Sequence, residues 1–256
     1  LGASVTIHDD FAGAKAEIDG HVTDADSVNV KAFSERDVDL SSTEATVGAI
    51  AGGASVTEAS IGGKTEARTG STAVIGTGTS GGVGTFHLEA DSEINAKVEG
   101  TSISAGIGSG GVNSMKVVVT GTVRADVNGS TISTSGSSTV RADSDVYSNV
   151  VVGSIKAAGI ALGKSIARSS VTSDVTAQVR GSAKVSTTLA ALIGSGRFTA
   201  SGDVDVYARH NAERTGSARA DSGNDLGLGA SAKSQASSGG LIAGGNTTAK
   251  AFDTSS

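Results

Sequence analysis

Short stretches in which small or apolar residues alternate with charged residues recur along the whole chain. One reads VRADVNG at 123–129, and related stretches read AKAEIDG at 14–20, KTEARTG at 64–70, NAKVEG at 95–100, TAQVRG at 176–181 and ARADSG at 218–223. Alternation with a period of two is the pattern of a β-strand that buries one face. The glycine that ends each stretch predicts a turn. A helix is disfavoured because glycine interrupts almost every candidate segment, at about 1 kcal/mol each relative to alanine.

A second set of stretches alternates in the same way, with valine or another apolar residue at every other position. It reads SVNVKA at 27–32, GTFHLEA at 84–90, STVRA at 138–142 and GDVDVYA at 202–208. Together the two sets predict which side chains face the interior of the fold. The predicted inward-facing residues are Val28, Val30, Ala32, Phe86, Leu88, Ala90, Val204, Val206, Ala208, Ala14, Ala16, Ile18, Val123, Ala125, Val127, Val175, Ala177 and Val179. The predicted outward-facing residues are Lys15, Glu17, Asp19, Arg124, Asp126, Gln178 and Arg180.

The pentapeptide GASVT occurs at 2–6 and again, unchanged, at 53–57. A repeat of this kind favours an architecture in which similar units stack. We therefore predict an all-β fold, a parallel β-helix or β-solenoid in which equivalent strands lie about 4.8 Å apart. With roughly 20 to 25 residues per coil, residues 1–256 would form about eleven coils, and the recurrence of roughly 50–66 residues would be a superrepeat of two to three coils. Because the chain begins with Leu1, we expect this single solenoid segment to belong to a longer repetitive protein.

Composition supports stacked strands more than the two alternatives that stay open. Glycine is abundant at 37 residues, proline is absent, and only seven residues are aromatic. An unfolded linker would be enriched in proline, whereas strands paired on both sides exclude it. A β-sandwich would usually carry a bulkier aromatic core.

The charge balance bears on the partners that we expect. The net charge is −6 and no basic run is present, so we do not expect nucleic acid as a partner. No stretch of about 18 apolar residues occurs, so we expect no membrane insertion by this segment. Cysteine is absent, which excludes disulfides and thiolate metal sites.

Candidate chemistry is sparse, and the prediction is a protein without catalytic, cofactor or metal residues. His8, His21, His87 and His210 have no evident partner in the sequence. The pairs Asp143 with Asp145 and Asp203 with Asp205 have the spacing in which two carboxylates on one face share calcium, but rows of charge are also the ordinary surface of a solenoid. The stretch SGNDLGLGA at 222–230 only partly matches a calcium-binding nonapeptide. A carbohydrate-cleaving β-helix would need clustered carboxylates and more aromatic rings.

The segments GASVT, GGKTEARTG, GTVRADVNGSTIS and GDVDVYA resemble the passenger repeats of large bacterial surface adhesins, namely the filamentous haemagglutinin-like and leukotoxin-family filamentous adhesins. The resemblance covers most of the chain. It implies a right-handed parallel β-helix, export to the cell surface or the extracellular space, and a role as an adhesive stalk or filament. A cell-surface protein or glycan would then be the partner, and open terminal coils would allow end-to-end association into fibres. The runner-up interpretation is a β-helix that acts on or binds polysaccharide.

Overall fold

The computed structural model describes residues 2–76, 82–180, 183–186, 190–193, 197–200, 204–211, 229–239 and 242–253. Regular structure in these residues is entirely β-strand, as the alternating pattern predicts. The strands are β1 (Gly2–Asp10), β2 (Ala14–Ile18), β3 (His21–Val22), β4 (Ala25–Val47), β5 (Ile50–Ile61), β6 (Lys64–Thr69), β7 (Val74–Ile75), β8 (Val83–Asn128), β9 (Thr131–Thr134), β10 (Ser138–Arg180), β11 (Ala183–Ser186), β12 (Ala190–Ile193), β13 (Arg197–Ala200), β14 (Val204–His210), β15 (Gly229–Gly239) and β16 (Ile242–Asp253).

The long strands β8 and β10 each extend in one direction, reverse and return. We call one such course of the chain a pass and its two halves the outgoing limb and the returning limb. The two limbs of a pass face each other. In β8 every second side chain of residues 94–98 and of 115–119 belongs to one buried cluster, although the two segments lie on opposite limbs of the same continuous strand. In β10 the Ser148 and Ser169 hydroxyls hydrogen-bond across the interior at 2.7 Å. The limbs therefore contact through side chains, while their backbones pair with the passes before and after them.

Parallel pairing in register joins each pass to the next. Gly2 pairs with Gly53, Ile50 with Gly108, and Gly108 with Ile160. The short strands β3, β7, β9 and β13 stack in the same way in a second, six-stranded sheet that closes the base of each pass. Long parallel strands stacked in register are the arrangement of a β-helix or solenoid.

The step between stacked strands is more than twice the coil length expected from the sequence. GASVT at 2–6 pairs residue for residue with GASVT at 53–57, so this recurrence is the step between neighbouring strands, not a superrepeat. Further along the chain, Val28 pairs with Phe86 and Phe86 pairs with Ser138. The expectation of shorter coils was wrong because alternation identifies the buried face of a strand but not how far the strand continues before it reverses.

The loose repeat has a structural reason. The step from Ser138 to its partner Val204 is longer than the step from Phe86 to Ser138. The chain between Ser138 and Val204 contains β11 and β12, an antiparallel pair that the other passes do not show in the described residues. The step from Ile160 to its partner Ile242 is longer again. Extra residues are therefore accommodated between strands without shifting the register within them.

The core lies between the two limbs in two apolar clusters. Near the base, Phe86, Leu88, Ile75 and Ile132 are fully buried. Farther along the limbs, Ile94, Val98 and Met115 are buried in the second cluster. Between these clusters Ser34 is stacked in register with Ser92, and their hydroxyls lie 3.1 Å apart, so these two hydroxyl groups hydrogen-bond with each other.

The predicted inward-facing residues are buried or partly buried in the first three passes. Val28, Val30, Ala32, Phe86, Leu88, Ala90, Val123, Ala125, Val127 and Val175 are buried, and Ala14, Ala16, Ile18 and Ala177 pack against the same core.

The last described pass departs from this pattern. Val206 and Ala208 are exposed, although they stand in register with the buried Val140 and Ala142. The side chains of Val179, Arg180 and Val204 lie outside the described residues. Val206 pairs with Val140 on one side only among the described strands, and a row at the end of a stack has fewer neighbours to cover it.

Asp126 was predicted to face water but is 5% exposed. It occupies an outward row, where it stands in register with Arg68 in one neighbouring strand and Gln178 in the other. Arg124 also lies 3.4 Å from its carboxylate. Long side chains of adjacent passes therefore cover an outward position that the sequence pattern leaves exposed.

Candidate interaction surface

The outer face of the outgoing limbs carries rows of charged side chains. Parallel pairing in register places Lys31, Glu89 and Arg141 in one row, and Phe33, Asp91, Asp143 and Arg209 in the next. Neighbouring members of a row come from successive passes, about 4.8 Å apart. We call Lys31, Glu89, Asp91, Arg141, Asp143 and Arg209 the charged ladder.

Opposite charges meet along this ladder. The Lys31 ammonium lies 2.9 Å from the Asp91 carboxylate, and Arg141 Nη2 lies 3.0 Å from the same carboxylate. Arg209 donates two hydrogen bonds to Asp143, from Nε at 2.8 Å and from Nη2 at 2.7 Å. The two-bond geometry is the stronger form of an arginine–carboxylate contact. The ladder therefore ties four successive passes together with pairs that bridge between strands.

The electrostatics of the ladder follow from these contacts. The hydrogen bond to Asp91 raises the pKa of Lys31 above its ordinary value, against the opposing effect of partial burial. Lys31 is half exposed, so this pair contributes little to stability. The ion pairs have a larger effect on the register of strand pairing than on stability, because a slip of one residue would turn every charged side chain toward the core.

A shallow depression of about 160 Å³ lies beside the ladder. It is lined by Phe33, Asp91, Ser92, Glu93, Arg141, Asp143 and Asp145. The Asp91 and Asp143 carboxylates are already paired with cationic side chains. Both carboxylates therefore form part of the ion pairs between passes.

The opposite face, formed by the returning limbs, carries a smaller set of ion pairs. Arg68 bridges to Glu17 of the previous pass at 3.0 Å, and Lys116 bridges to Glu58 at 2.6 Å. Hydrogen bonds from Lys15 and then from Arg68 lower the pKa of the Glu17 carboxyl. Both faces of the stack are therefore crosslinked by pairs between neighbouring passes.

Of the two aspartate pairs considered for calcium, Asp143 with Asp145 belongs to no metal-binding group among the described residues. Asp143 is engaged by Arg209 and Arg141, while Asp203 lies outside the described residues, as do 222–228. Within the described part of the chain, no group of three or more histidine or acidic residues is placed to hold a metal ion. The prediction from the sequence, no metal site with calcium as an alternative, stays a prediction.

The four histidines lie in four different strands. His8 lies in β1, His21 in β3, His87 in β8 and His210 in β14. His87 occupies an outward position, as predicted, between the buried Phe86 and Leu88. The His210 ring nitrogen Nε2 lies 2.9 Å from the Asn211 amide nitrogen. These positions assemble no nucleophile and base pair among the described residues.

Sequence reasoning missed a polar group inside the fold, where the limbs of β10 reverse. Lys156 is 7% exposed, and its ammonium donates hydrogen bonds to the backbone carbonyls of Leu162 at 2.8 Å and Gly111 at 3.4 Å. Burial lowers the pKa of Lys156. Gly163 leaves the space that this ammonium occupies, since a Cβ there would lie 1.2 Å from it. The signal in the sequence was a single lysine in an otherwise uncharged stretch from 146 to 163.

Comparison with known proteins identifies no relative. No family model, curated protein or solved structure matches the chain. In the part of the chain that the structure describes, there is no helix with the length and apolar character needed to cross a membrane.

Proposed function

We propose that this chain is a structural and adhesive segment of a secreted or cell-surface bacterial adhesin or filament, without enzymatic activity. The observation that carries the proposal is the in-register stacking of passes, which presents equivalent outer rows at each step. A repeated surface binds a repeated partner with an avidity that exceeds the affinity of one site. The proposed partner is a cell-surface protein or glycan, and the proposed location is the bacterial surface or the extracellular space.

The proposed architecture is a right-handed β-solenoid with about four and a half turns in this segment. Parallel strands joined by a crossover in one sheet are almost always right-handed. The number of turns is based on five returning limbs. These limbs begin at β1, at β5, near Gly108 in β8, near Ile160 in β10 and at β16. This number replaces the eleven coils expected from a shorter repeat.

Self-association end to end is part of the same proposal. Among the described strands, β4 pairs only with β8, so one edge of a 23-residue strand is available for a further parallel strand. A heterologous contact of this kind does not close and extends into fibres. Electron microscopy of purified protein at increasing concentration should show rods that lengthen. Compact particles of constant size would contradict the fibre proposal.

Adhesion is tested by the binding of fluorescently labelled protein to a panel of host and bacterial cells. We expect saturable binding that is removed either by protease treatment of the cells or by glycosidase treatment, which assigns the partner as protein or glycan. A variant with Arg141→Ala and Arg209→Ala removes two cations from the charged ladder and serves to locate the binding face. Binding no greater than that of an inert protein of similar charge on every cell type would contradict the adhesive role.

Polysaccharide binding or cleavage is the second candidate. It is favoured by the half-exposed Phe33 ring beside the carboxylates of the shallow depression, because sugar rings pack on aromatic faces. Screening acidic polysaccharides for new reducing ends or unsaturated products tests cleavage, and glycan arrays with Phe33→Ala test binding. No product and an unchanged array profile would exclude this candidate.

A further inference from the structure

The reversals between outgoing and returning limbs share a short sequence with an isoleucine among small residues. It reads GAIAGG at 48–53, GIGSGG at 106–111 and GIALGK at 159–164, and LIAGGN at 241–246 corresponds in the next pass. Gly108, which follows Ile107 in the chain, pairs with Ile50 on one side and with Ile160 on the other. Ile160 pairs in turn with Ile242. We call Val47, Ile50, Ile107, Ile160 and Leu162 the tip ridge.

The side chains of the tip ridge point into solvent. Val47 is 82% exposed, Ile50 81%, Ile107 76%, Leu162 53% and Ile160 48%. Ile107 belongs to a pass that has a neighbour on each side, so its exposure is not caused by the end of the stack. The reversal needs small residues for its close backbone contacts, as at Gly106, where a Cβ would lie 2.0 Å from the Gly48 carbonyl oxygen. The core does not explain the isoleucines, and a contiguous apolar patch typically marks an interaction site.

The tip ridge is also free of exposed charge. Residues 45–57 and 100–115 contain no charged side chain, and 146–163 contain only Lys156, which is buried. Elsewhere the chain carries a net charge of −6 and charged rows on both faces. Two copies of this chain would bring fewer like charges together at their tips than at their faces, although the exposed Lys164 ends the reversal sequence of its pass.

We propose that two copies of this chain associate through their tip ridges in a closed, two-fold symmetric dimer. A second copy has the same strand spacing of about 4.8 Å, so its column of isoleucines interdigitates with the first over several passes. A partner without this spacing would match only one or two side chains. A two-fold contact uses the same patch on both copies and therefore stops at the dimer. The dimer does not depend on the adhesive role.

The test is sedimentation velocity from about 1 to about 100 μM protein, concentrations that span weak to moderate association. In this range we expect the unmodified chain to shift from monomer to dimer, while the end-to-end association proposed above begins only at higher concentration. The variant Ile50→Lys, Ile107→Lys, Ile160→Lys should stay monomeric with an unchanged circular dichroism spectrum, because all three side chains are exposed. The matched control Phe11→Lys, Phe33→Lys, Phe252→Lys alters three exposed rings away from the ridge and should still form dimers.

A covalent readout uses the absence of cysteine in the chain. Ile107→Cys should form a disulfide-linked dimer under mild oxidation, whereas Phe33→Cys should not.

The proposal is overturned if the unmodified chain is monomeric at every concentration, or if the lysine variant still dimerises. Monomers that bind phosphatidylcholine vesicles through the ridge would assign it to lipid and also overturn the dimer. Mass that grows without limit in both the unmodified chain and the lysine variant would indicate end-to-end association instead and overturn the closed dimer.

Discussion

Arg36 shows how one residue departs from the pattern around it. Its row continues through Ile94 and Val146, and both are buried, yet Arg36 is also inward and only 5% exposed. Its guanidinium donates a hydrogen bond to the Ala12 carbonyl oxygen, and within the described part of the chain Nε has no hydrogen-bond partner. Burial lowers the pKa of Arg36, and the charge of Asp10 offsets part of this effect. Placing a cation there is therefore a cost to stability.

Arg36→Met should raise the free energy of unfolding by about 1 kcal/mol, because an apolar side chain of similar length replaces a buried charge. Ala12 is an exposed residue, and we expect water to replace the guanidinium at its carbonyl oxygen. Urea denaturation measures the change. Arg68→Met is the control, since Arg68 is 38% exposed and its pair with Glu17 should contribute little to stability. A clear loss of stability in Arg36→Met would mean that the bond to Ala12 outweighs the cost of burial.

Lys156 makes the stability of the fold depend on pH. Its pKa in the folded chain is below the ordinary 10.5, so between these two values the unfolded chain binds more protons than the folded chain. Stability should therefore rise as pH increases through the folded pKa toward 10.5, by about 1.4 kcal/mol for each unit by which the pKa is lowered. The measurement is the difference in unfolding free energy between the unmodified chain and Lys156→Met from about pH 7 to 10.5. A difference that does not change with pH contradicts the burial of this ammonium.

At the scale of elements, the turns depend on a few glycines that differ in what surrounds them. Gly63 has φ of 123°, and a Cβ there would lie 1.9 Å from the Ala12 carbonyl oxygen. Gly129 has φ of 63°, but the nearest neighbours of a Cβ there would be 3.9 Å away. At Gly108 a Cβ would have nothing within 4 Å, and the residue has no positive φ. One series of alanine substitutions can therefore separate the effect of steric conflict on stability from the effect of backbone conformation.

Alanine substitutions at Gly63, Gly129 and Gly108 should differ in their effect on the free energy of unfolding, with Gly63→Ala the most destabilising. Gly63→Ala should cost more than about 2 kcal/mol, because both the backbone conformation and a carbonyl oxygen oppose the methyl group. Gly129→Ala should cost about 1 kcal/mol from conformation alone. Gly108→Ala should raise stability by about 0.5 kcal/mol, because alanine restricts the unfolded chain. Urea denaturation provides the ranking, and equal effects at Gly63 and Gly108 would be inconsistent with these turns.

The strands themselves were largely predictable from the sequence, and their connections were not. Alternation identified the buried faces around Phe86, Leu88 and Val123, because period two follows directly from strand geometry. It did not reveal that the limbs 94–98 and 115–119 face each other, since alternation contains no information about contacts between distant strands. The isoleucines at the reversals were missed for a related reason: they lie where the strands reverse, and alternation does not mark that point. The inward Arg36 and Lys156 were missed because a charged residue ordinarily indicates a solvent-facing position.

At the scale of the whole molecule, three kinds of surface have different capacities for interaction. The faces carry ion pairs that link successive passes, the edge of β4 can accept a further strand, and the tip ridge is apolar and uncharged. The faces and the tip ridge extend with the number of passes, whereas the edge of β4 is a single site at the end of the stack. Their combination suits a chain whose interactions scale with length, which is the basis of the proposed adhesive role.

The central claim is that positions such as 97 and 149 lie in directly neighbouring passes, and an engineered disulfide tests it. Lys97 and Asn149 pair in register on the outward face, so their Cα atoms should be about 4.8 Å apart, within the limit of about 7 Å for a disulfide. Lys97→Cys with Asn149→Cys should therefore crosslink in the monomer, while Lys97→Cys with Val150→Cys should not, because Val150 is buried on the opposite side. Coils of roughly 20 to 25 residues would separate positions 97 and 149 by two coils, about 10 Å. Failure of the first pair to crosslink in folded monomeric protein would contradict the stacked arrangement, and rapid quantitative crosslinking would support it.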